Sequence, residues 1–424
     1  MKRTLVCEAE DTLAAAKEAI IQATLDIVLT QREERPIAVV IAGSMARNEH
    51  TVLRAAGLLN VLGDAEFYLV FDRSSLARAL ESRAKSLVKE IEKRLLSRGI
   101  RCEVNFALPT TARLERMSPH IMGYELRTTG KVVWGDADIL RRIPNFGAAD
   151  IPRWDAWRSV SNRMTEQLGC AWSLESGSSK DVLGLLYRCL KIQLELATLV
   201  THFCGAFRPT YGERERSIRE LGAKSVPASS FAWWHEFADR VGMVTGFKLQ
   251  RNSASLYQDI FSGRWTAQEA VSLIQKECLD VVSLVRSVWF WGAEQLLGHR
   301  VGACEDPLRV GLAIARGQNW RWRARGWAHL LLRESAARDI HSWSRFLRLG
   351  RLGGPRFLTY AVSAALYFSW PDRMRGDLEL ARSVATRAIR YLPIVNPTAK
   401  NVGWVDASNA AFAGWQQHLE KNWA

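Results

Sequence analysis

Two acidic side chains, Asp64 and Glu66, lie two positions apart at the start of an apolar run that ends at Phe71. In an extended strand the side chains alternate between faces, so both carboxylates point to the same side. Like charges this close are costly unless a cation lies between them, and oxygen ligands suit Mg²⁺ or Mn²⁺, which keep open positions for phosphate oxygens. The pair predicts a metal site. The plainer alternative makes both residues strand-entry acids without a metal.

A glycine-serine pair, Gly43-Ser44, follows the short β-branched run of residues 37–42. That run is predicted to form a buried strand. Glycine lets the backbone approach a ligand closely, and Ser44 with the following amides opens a predicted helix whose N-terminus favours anions. We expect this phosphate-binding bend to face the acid pair.

These motifs resemble the DNA polymerase β-like nucleotidyltransferase superfamily, whose pattern is a strand, a Gly-Ser turn with a helix, and a strand bearing Asp-x-Asp or Asp-x-Glu. The resemblance includes Arg47, since bacterial members often read Gly-Ser-x-Ala-Arg-Gly-Glu. It implies that Gly43, Ser44 and Arg47 hold the triphosphate of an NTP, and that Asp64 and Glu66 help to hold two metal ions. Two metals so placed stabilise the attacking and leaving oxygens of an in-line displacement at the α-phosphate.

The spacing between the two motifs departs from the family pattern. Asp64 follows Ser44 by twenty positions, more than in small family members, so an extra turn or loop must intervene. Gly57 and Gly63 would accommodate it. Asn48 also stands where the family usually has glycine.

The family's third carboxylate belongs on a later strand, predicted here at residues 100–108 because apolar and polar residues alternate. Glu103 lies on the polar face of that strand and is expected to complete the metal site with Asp64 and Glu66. Asn105 shares the face and is the alternative occupant. In that case the metal site would be depleted and activity would be in doubt.

The elements around these motifs include a first helix within residues 8–31, a strand at residues 65–71, and a helix that Ser74 and Ser75 cap and that ends before Gly99. Strand, helix and strand joined by short links favour a small α/β domain.

The resemblance covers residues 36–145, because residues 119–136 look like the closing helix and strand of such domains. His120, Glu125 and Asp136 lie in that segment. Packing and capping roles are favoured over functional ones for these three residues.

Beyond Pro144 helical patterns dominate. We therefore predict an α+β protein, in which a small mixed-sheet catalytic domain (1–145) is followed by two all-α domains (146–300 and 301–424).

Four residues of the first helical domain are candidates for substrate contact. Lys191 and Glu195 share one side of a helix predicted at residues 181–203, and Tyr211 and Arg214 follow a proline. The alternative is a surface salt bridge and an anchored loop.

Residues 316–327 interleave arginines with tryptophans. Such a mixture suits single-stranded nucleic acid, because rings stack on bases while guanidiniums meet phosphates. Trp320 and Trp327 are seven apart, however, and Leu330 and Leu331 continue the pattern, which favours core tryptophans flanked by solvated arginines.

Composition bounds the function more loosely. The chain of 424 residues has a net charge of +14, which attracts polyanions without choosing among nucleic acid, nucleotides and membrane surfaces. No long apolar stretch or signal peptide is present, so we expect a cytoplasmic protein without a membrane role. The seven cysteines lack a CxxC pair and are interpreted as reduced core thiols.

Together these features predict a nucleotidyltransferase that uses Mg²⁺ or Mn²⁺ and an NTP, and whose acceptor is a hydroxyl of a small molecule, an RNA end or a protein. The rival hypothesis is a catalytically inactive protein of the same fold that binds RNA or a protein partner through its basic surface. Sequence alone does not choose the NTP, the acceptor or the oligomeric state.

Overall fold

A mixed five-stranded sheet occupies the N-terminal third of the chain, and helices follow it, as the expected α+β class requires. The computed structural model describes residues 10–31, 33–55, 57–171, 174, 179–224, 231–251, 257, 260, 267–302, 304–333, 340–393 and 402–419.

Strand β3 is the centre of the sheet. It pairs antiparallel with β2 along its first half and with β1 along its second half, while β4 runs parallel beside both halves. Since a strand has two edges, β1 and β2 share one edge of β3. Strand β5 pairs antiparallel with the other side of β1. The strands are β1 (Ala38–Ile41), β2 (Thr51–Ala55), β3 (Leu58–Val70), β4 (Ile100–Ala107) and β5 (Lys131–Gly135).

A hairpin fills the long gap between the two motifs. Strand β3 begins at Leu58, well before the predicted start at residue 65, and β2 was not predicted. Gly57, with φ of +80°, lies in the hairpin turn, and Gly63, with φ of +104°, lies where the β3–β4 register shifts between Asn60 and Asp64. The expectation that both glycines accommodate the extra chain is confirmed.

Helices α1 and α3 cover one face of the sheet, where Ala65, Phe67 and Leu69 of β3 are buried. The predicted capping of α3 is wrong, because the N-cap residue is Arg73 and its side chain makes no cap hydrogen bond. Gly99 follows the helix with φ of +78°, as expected. The helices of this part are α1 (Glu10–Val28), α2 (Gly43–Ala46), α3 (Ser74–Ser97), α4 (Thr111–Glu115) and α5 (Ile121–Thr129).

The opposite face of the sheet turns toward the helical part of the chain. Val40, Tyr68 and Val70 belong to a hydrophobic cluster that continues into the later helices. The later helices are α6 (Arg153–Leu168), α7 (Ser179–Phe203), α8 (Tyr211–Lys224), α9 (Trp234–Lys248), α10 (Ala267–Leu297), α11 (Pro307–Gly317), α12 (Trp320–Arg333), α13 (Ile340–Leu352), α14 (Pro355–Met374), α15 (Leu378–Ala388) and α16 (Trp404–Leu419).

Aromatic rings fill the core of the helical part. Trp157 of α6 contacts Trp289 of α10 and stacks on Phe357 of α14, with ring centroids 5.5 and 6.0 Å away. Both tryptophans are fully buried. Rings of this size bury large apolar areas, so they fix α6 against its neighbours and thereby against the sheet.

The prediction of two core tryptophans in α12 is half right. Trp327 is buried, and its indole nitrogen donates to the carbonyl oxygen of Gly353 at 2.8 Å. Trp320, by contrast, is 69% exposed, because the first turns of α12 project past the helices that cover Trp327. The helical spacing was real, but it did not reveal where the covering helices end.

The cysteines match the reduced-thiol interpretation only in part. All six cysteines that the structure describes are free thiols, and Cys7 lies outside the described residues. Cys204 and Cys304 are exposed, so the expectation that the thiols lie in the core is wrong for them. Within the described part of the chain, no helix is long and apolar enough to span a membrane.

Gly63→Ala tests the bulge that places the acid pair. A Cβ at Gly63 would lie 2.7 Å from Tyr187 Oη, in addition to its unfavourable positive φ. We expect a loss of about 3 kcal/mol in unfolding free energy, measured by urea denaturation. Gly99→Ala is the matched control, since its φ is also positive but no atom lies within 4 Å of its Cβ, and it should cost about 1 kcal/mol. Equal losses would contradict the close contact.

Candidate active site

Asp64 and Glu66 project from the face of β3 that turns toward the helices. Ala65 between them is fully buried on the opposite face, so the strand alternation confirms that the two acids share a side. Both side chains are half-buried. The apolar residues of β3 therefore hold the two carboxylates next to each other in a partly dry environment.

The glycine-serine bend meets the acid pair directly. The Ala42 amide donates to the Glu66 carbonyl oxygen at 2.9 Å, which joins the bend to β3. Gly43 has φ of +63°, and a Cβ there would lie 3.0 Å from Glu66 Oε2. Only glycine fits this position without strain. Gly43 therefore lies directly beside Glu66, as expected, and the role of Ser44 stays a prediction.

The helix that begins at Gly43 is a single turn of four residues. A helix this short has a weak dipole, so the expected anion-favouring helix end contributes little. The missing side chain of Gly43 is what leaves room beside Glu66.

The structure distinguishes the two candidates for the third position. Asn105 Nδ2 donates to Asp64 Oδ2 at 2.7 Å, and the Cα of Glu103 pairs in register with Asp64; both Asn105 and Glu103 are exposed. No three His, Cys, Asp or Glu residues among those described are grouped so that they would hold a metal ion. Asn105, rather than Glu103, thus contacts the acid pair.

The two carboxylates have opposite pKa shifts. Burial, and then the charge of Asp64, raise the pKa of Glu66 to about 7. Burial alone would also raise the pKa of Asp64, but Lys191 and the Asn105 hydrogen bond lower it. At neutral pH, Asp64 holds its charge while Glu66 is partly protonated, which is how a protein limits repulsion between adjacent acids.

Cationic side chains from the helices face the acids. Lys191 Nζ of α7 lies 3.8 Å from Asp64 Oδ1 and 5.2 Å from the centre of the Tyr187 ring. Lys248, the last residue of α9, is buried, and its Nζ lies 3.3 Å from Tyr187 Oη. Burial, and then the charge of Lys191, lower the pKa of Lys248 to about 7. Two lysines therefore flank one tyrosine beside the acid pair.

Arg163 of α6 is a third cation near the site. Its guanidinium bonds both Glu166 oxygens at 2.6 Å and lies 3.6 Å from Glu195 Oε1. Burial alone would lower the pKa of Arg163, but the charges of Glu166 and Glu195 raise it. Glu195 therefore holds Arg163, whereas Lys191 faces the acids.

Arg47, three positions after Ser44, is paired with two carboxylates. Its guanidinium is 2% exposed and bonds Glu49 at 2.9 Å and Glu125 at 3.1 Å. It also lies 5.0 Å from the centre of the Tyr211 ring. Arg47 is thus held by two carboxylates and an aromatic ring, and its role toward a triphosphate stays a prediction.

Glu49 joins the sheet to the helical part of the chain. Its two carboxylate oxygens accept from the amides of Tyr211 and Gly212 at 3.1 and 3.2 Å, which caps the N-terminus of α8. Arg214 of α8 in turn bonds Glu125. Negative charge at a helix N-terminus is favourable, so the contact of Glu49 holds α8 against the chain segment that follows the Gly-Ser bend.

The two candidate substrate residues of α8 are structural. Arg214 is 3% exposed and donates to Thr198 and to the carbonyl oxygens of Arg208 and Pro209. Tyr211 packs beneath the Arg47 guanidinium. The anchored-loop alternative is therefore the one the structure supports for this pair.

The favoured capping and packing roles at the end of the N-terminal region are also supported. Glu125 bonds both Arg47 and Arg214. His120 Nδ1 contacts the carbonyl oxygen of Ser118 at 2.7 Å, and Asp136 Oδ1 accepts from the Asp138 amide at 3.0 Å.

Three residues near the acids were not identified from the sequence: Arg163, Tyr187 and Lys248. Tyr187 precedes Lys191 by four positions and therefore shares its helix face, a relation that would have found it. Lys248 reaches the site only through the packing of α9 against β2, where Thr51 donates to its carbonyl oxygen at 2.9 Å. No local pattern encodes that contact.

We compared the chain with known families, proteins and structures. No family model, curated protein or solved structure matches it. An argument about function therefore depends on the geometry and chemistry of this site.

Glu66→Gln should stabilise the protein in a pH-dependent way. The pKa of Glu66 is 4.5 in an ordinary environment and about 7 in the folded chain, so between these values the folded state binds the extra proton. Unfolding free energy is thus lost as pH rises from 4.5 to 7. We expect the variant to match the parent at pH 4 and to exceed it by about 3 kcal/mol at pH 8. Exposed Glu90→Gln is the control, and a gain independent of pH would contradict the shift.

Glu49→Gln should weaken the attachment of α8 to the sheet. The variant leaves Arg47 without one buried carboxylate and removes the charge at the helix N-terminus. We expect a loss of about 2–3 kcal/mol in unfolding free energy, measured by urea denaturation. Glu236→Gln breaks a pair on the exposed surface, and it should cost less than about 0.5 kcal/mol. Similar losses in both variants would argue against the anchoring role.

Proposed function

We propose that the protein is a metal-dependent nucleotidyltransferase that moves a nucleoside monophosphate from an NTP to a hydroxyl acceptor. The observation that carries the proposal is the contact between Gly43 and Glu66, with Asp64 beside it on the same strand face. An acid pair next to a backbone turn without a side chain leaves room for a metal-bound triphosphate.

The acid pair fits a divalent cation such as Mg²⁺ or Mn²⁺. Burial and the charge of Asp64 raise the pKa of Glu66 to about 7, and a cation would relieve that repulsion. Mg²⁺ usually binds through one or two carboxylates and substrate phosphates. Asp64 and Glu66 would supply those carboxylates, and Glu103 would be a third ligand only if it turned inward past Asn105. When bound, the cation would neutralise charge at the phosphates.

The remaining side chains would bind and orient the substrates. Gly43 and Ser44 would let the triphosphate approach the backbone. Lys191 lies 3.8 Å from Asp64, so its charge would turn to the phosphates once a cation takes its place at the carboxylate. One of the two carboxylates would accept the proton of the acceptor hydroxyl.

Nucleotidyl transfer is tested with the purified chain, labelled NTPs and Mg²⁺ or Mn²⁺. Asp64→Asn and Glu66→Gln should each lower kcat by about 100-fold or more, because each removes charge that is needed at the metal. Release of pyrophosphate and transfer of the label are the measurements. Cell extract fractions serve as the source of acceptor, so that base preference and acceptor class emerge together.

Two further variants make that experiment decisive. Arg309→Gln removes an exposed charge far along the chain and should leave kcat unchanged. Glu103→Gln should leave at least half of the activity if Asn105 occupies the third position, and should abolish it if Glu103 is a ligand. If calorimetry detects no binding of NTP with Mg²⁺ and no fraction supports transfer, the proposal is wrong.

A further inference from the structure

The first turns of α12 carry large aromatic side chains on the protein surface. Trp320 is 69% exposed and Trp322 is 52% exposed. The guanidinium carbons of Arg321 and Arg325 lie 5.6 and 5.9 Å from the centres of the Trp320 and Trp322 rings. Both rings are accessible to a partner, and each has an arginine beside it. We call these four residues the α12 surface.

The sequence around α12 is strongly basic. Between Asp306 and Asp372 the sequence contains eleven arginines, no lysine and only two acids, Glu334 and Asp339. Arginine is planar, stacks on flat rings and bonds phosphate through two N–H groups at once. Lysine would serve equally well for solubility, so the exclusive use of arginine favours a planar or phosphorylated partner.

Helix α13 extends the same surface. Trp343 is 46% exposed and Arg348 is exposed. Arg323 ties the two helices together, because it donates to the carbonyl oxygen of Gly350 at 2.6 Å. This hydrogen bond joins α12 to the end of α13.

The surface also approaches the N-terminal region. Burial, and then the charge of Arg325, lower the pKa of Arg113 in α4, the helix that follows β4. Arg113 and Arg325 therefore lie close in space.

We propose that the α12 surface binds single-stranded nucleic acid, with bases stacked on Trp320 and Trp322 and phosphates paired with Arg321 and Arg325. Every base has a face that can stack, so such a surface binds without a strict sequence requirement. This binding is independent of nucleotidyl transfer, and either property can exist without the other.

A membrane surface fits these residues less well. An interfacial helix places its apolar side chains on one face. Trp320 and Trp322 are two positions apart, which puts them about 200° apart around the helix axis. They cannot both enter a flat bilayer, whereas a flexible single strand can pass from one ring to the other.

Fluorescence anisotropy with the full chain and a labelled single-stranded 12-nucleotide RNA tests the proposal. Trp320→Ala combined with Trp322→Ala should weaken binding by about five-fold to one hundred-fold, from the loss of stacking. Arg321→Gln combined with Arg325→Gln should weaken binding and lower the slope of log Kd against log salt by about 0.7 for each arginine.

Matched controls separate the site from general charge and hydrophobicity. Arg78→Gln with Lys89→Gln removes the same charge from exposed positions of α3, and Leu96→Ala with Leu378→Ala removes two exposed apolar side chains. Both should bind RNA within two-fold of the parent. Circular dichroism of each variant establishes that it is folded.

Three results would overturn the proposal. One is no RNA binding at low salt, and another is an equal loss of affinity in the α3 control. The third is binding to vesicles of anionic lipid that the tryptophan variant loses while RNA binding is unchanged. Failure of the NTP assay would leave the RNA result untouched, because the two experiments use different residues and different readouts.

Discussion

Repulsion between two carboxylates on one strand face is the constraint around which the site is arranged. Asp64 and Glu66 cannot separate, because Ala65 and Phe67 are fully buried on the other face and fix the alternation of β3. The protein limits the repulsion by raising the pKa of Glu66 and by bringing Lys191 to Asp64. Such an arrangement costs folding energy. Proteins keep such costs mainly where function requires the charges.

Ion pairs and hydrogen bonds near the acid pair connect the sheet to the helices. Arg47 and Glu49, which follow the Gly-Ser bend, connect the bend to α8 through Tyr211. Helix α7 then reaches the acids with Lys191. The position of the helices relative to the sheet thus depends on buried ion pairs, in which geometry must be accurate to offset the cost of desolvation.

The parts of the site that depend on local sequence patterns could be predicted from the sequence. Strand alternation placed Asp64 and Glu66 on one side, and glycine chemistry predicted the bend at Gly43. The sequence did not predict contacts between segments that are distant along the chain. The ion pair of Arg47 with Glu125, seventy-eight positions away, was not predicted. Lys248 reaches the site only through tertiary packing, and the exposure of Trp320 depends on where neighbouring helices end.

The acid pair and the positive helices place opposite demands on an anionic substrate. In the reaction proposed above, a triphosphate would be repelled by Asp64 and Glu66 unless a cation intervened, and it would be attracted by Lys191, Lys248 and Arg163. The net charge of +14 brings polyanions toward the molecule from any direction. Attraction at long range therefore cannot select the reacting group. For the nucleotidyl transfer proposed above, selection would have to come from short-range contacts with Asp64, Glu66 and Lys191, and a cation would be required before phosphate approached the two acids.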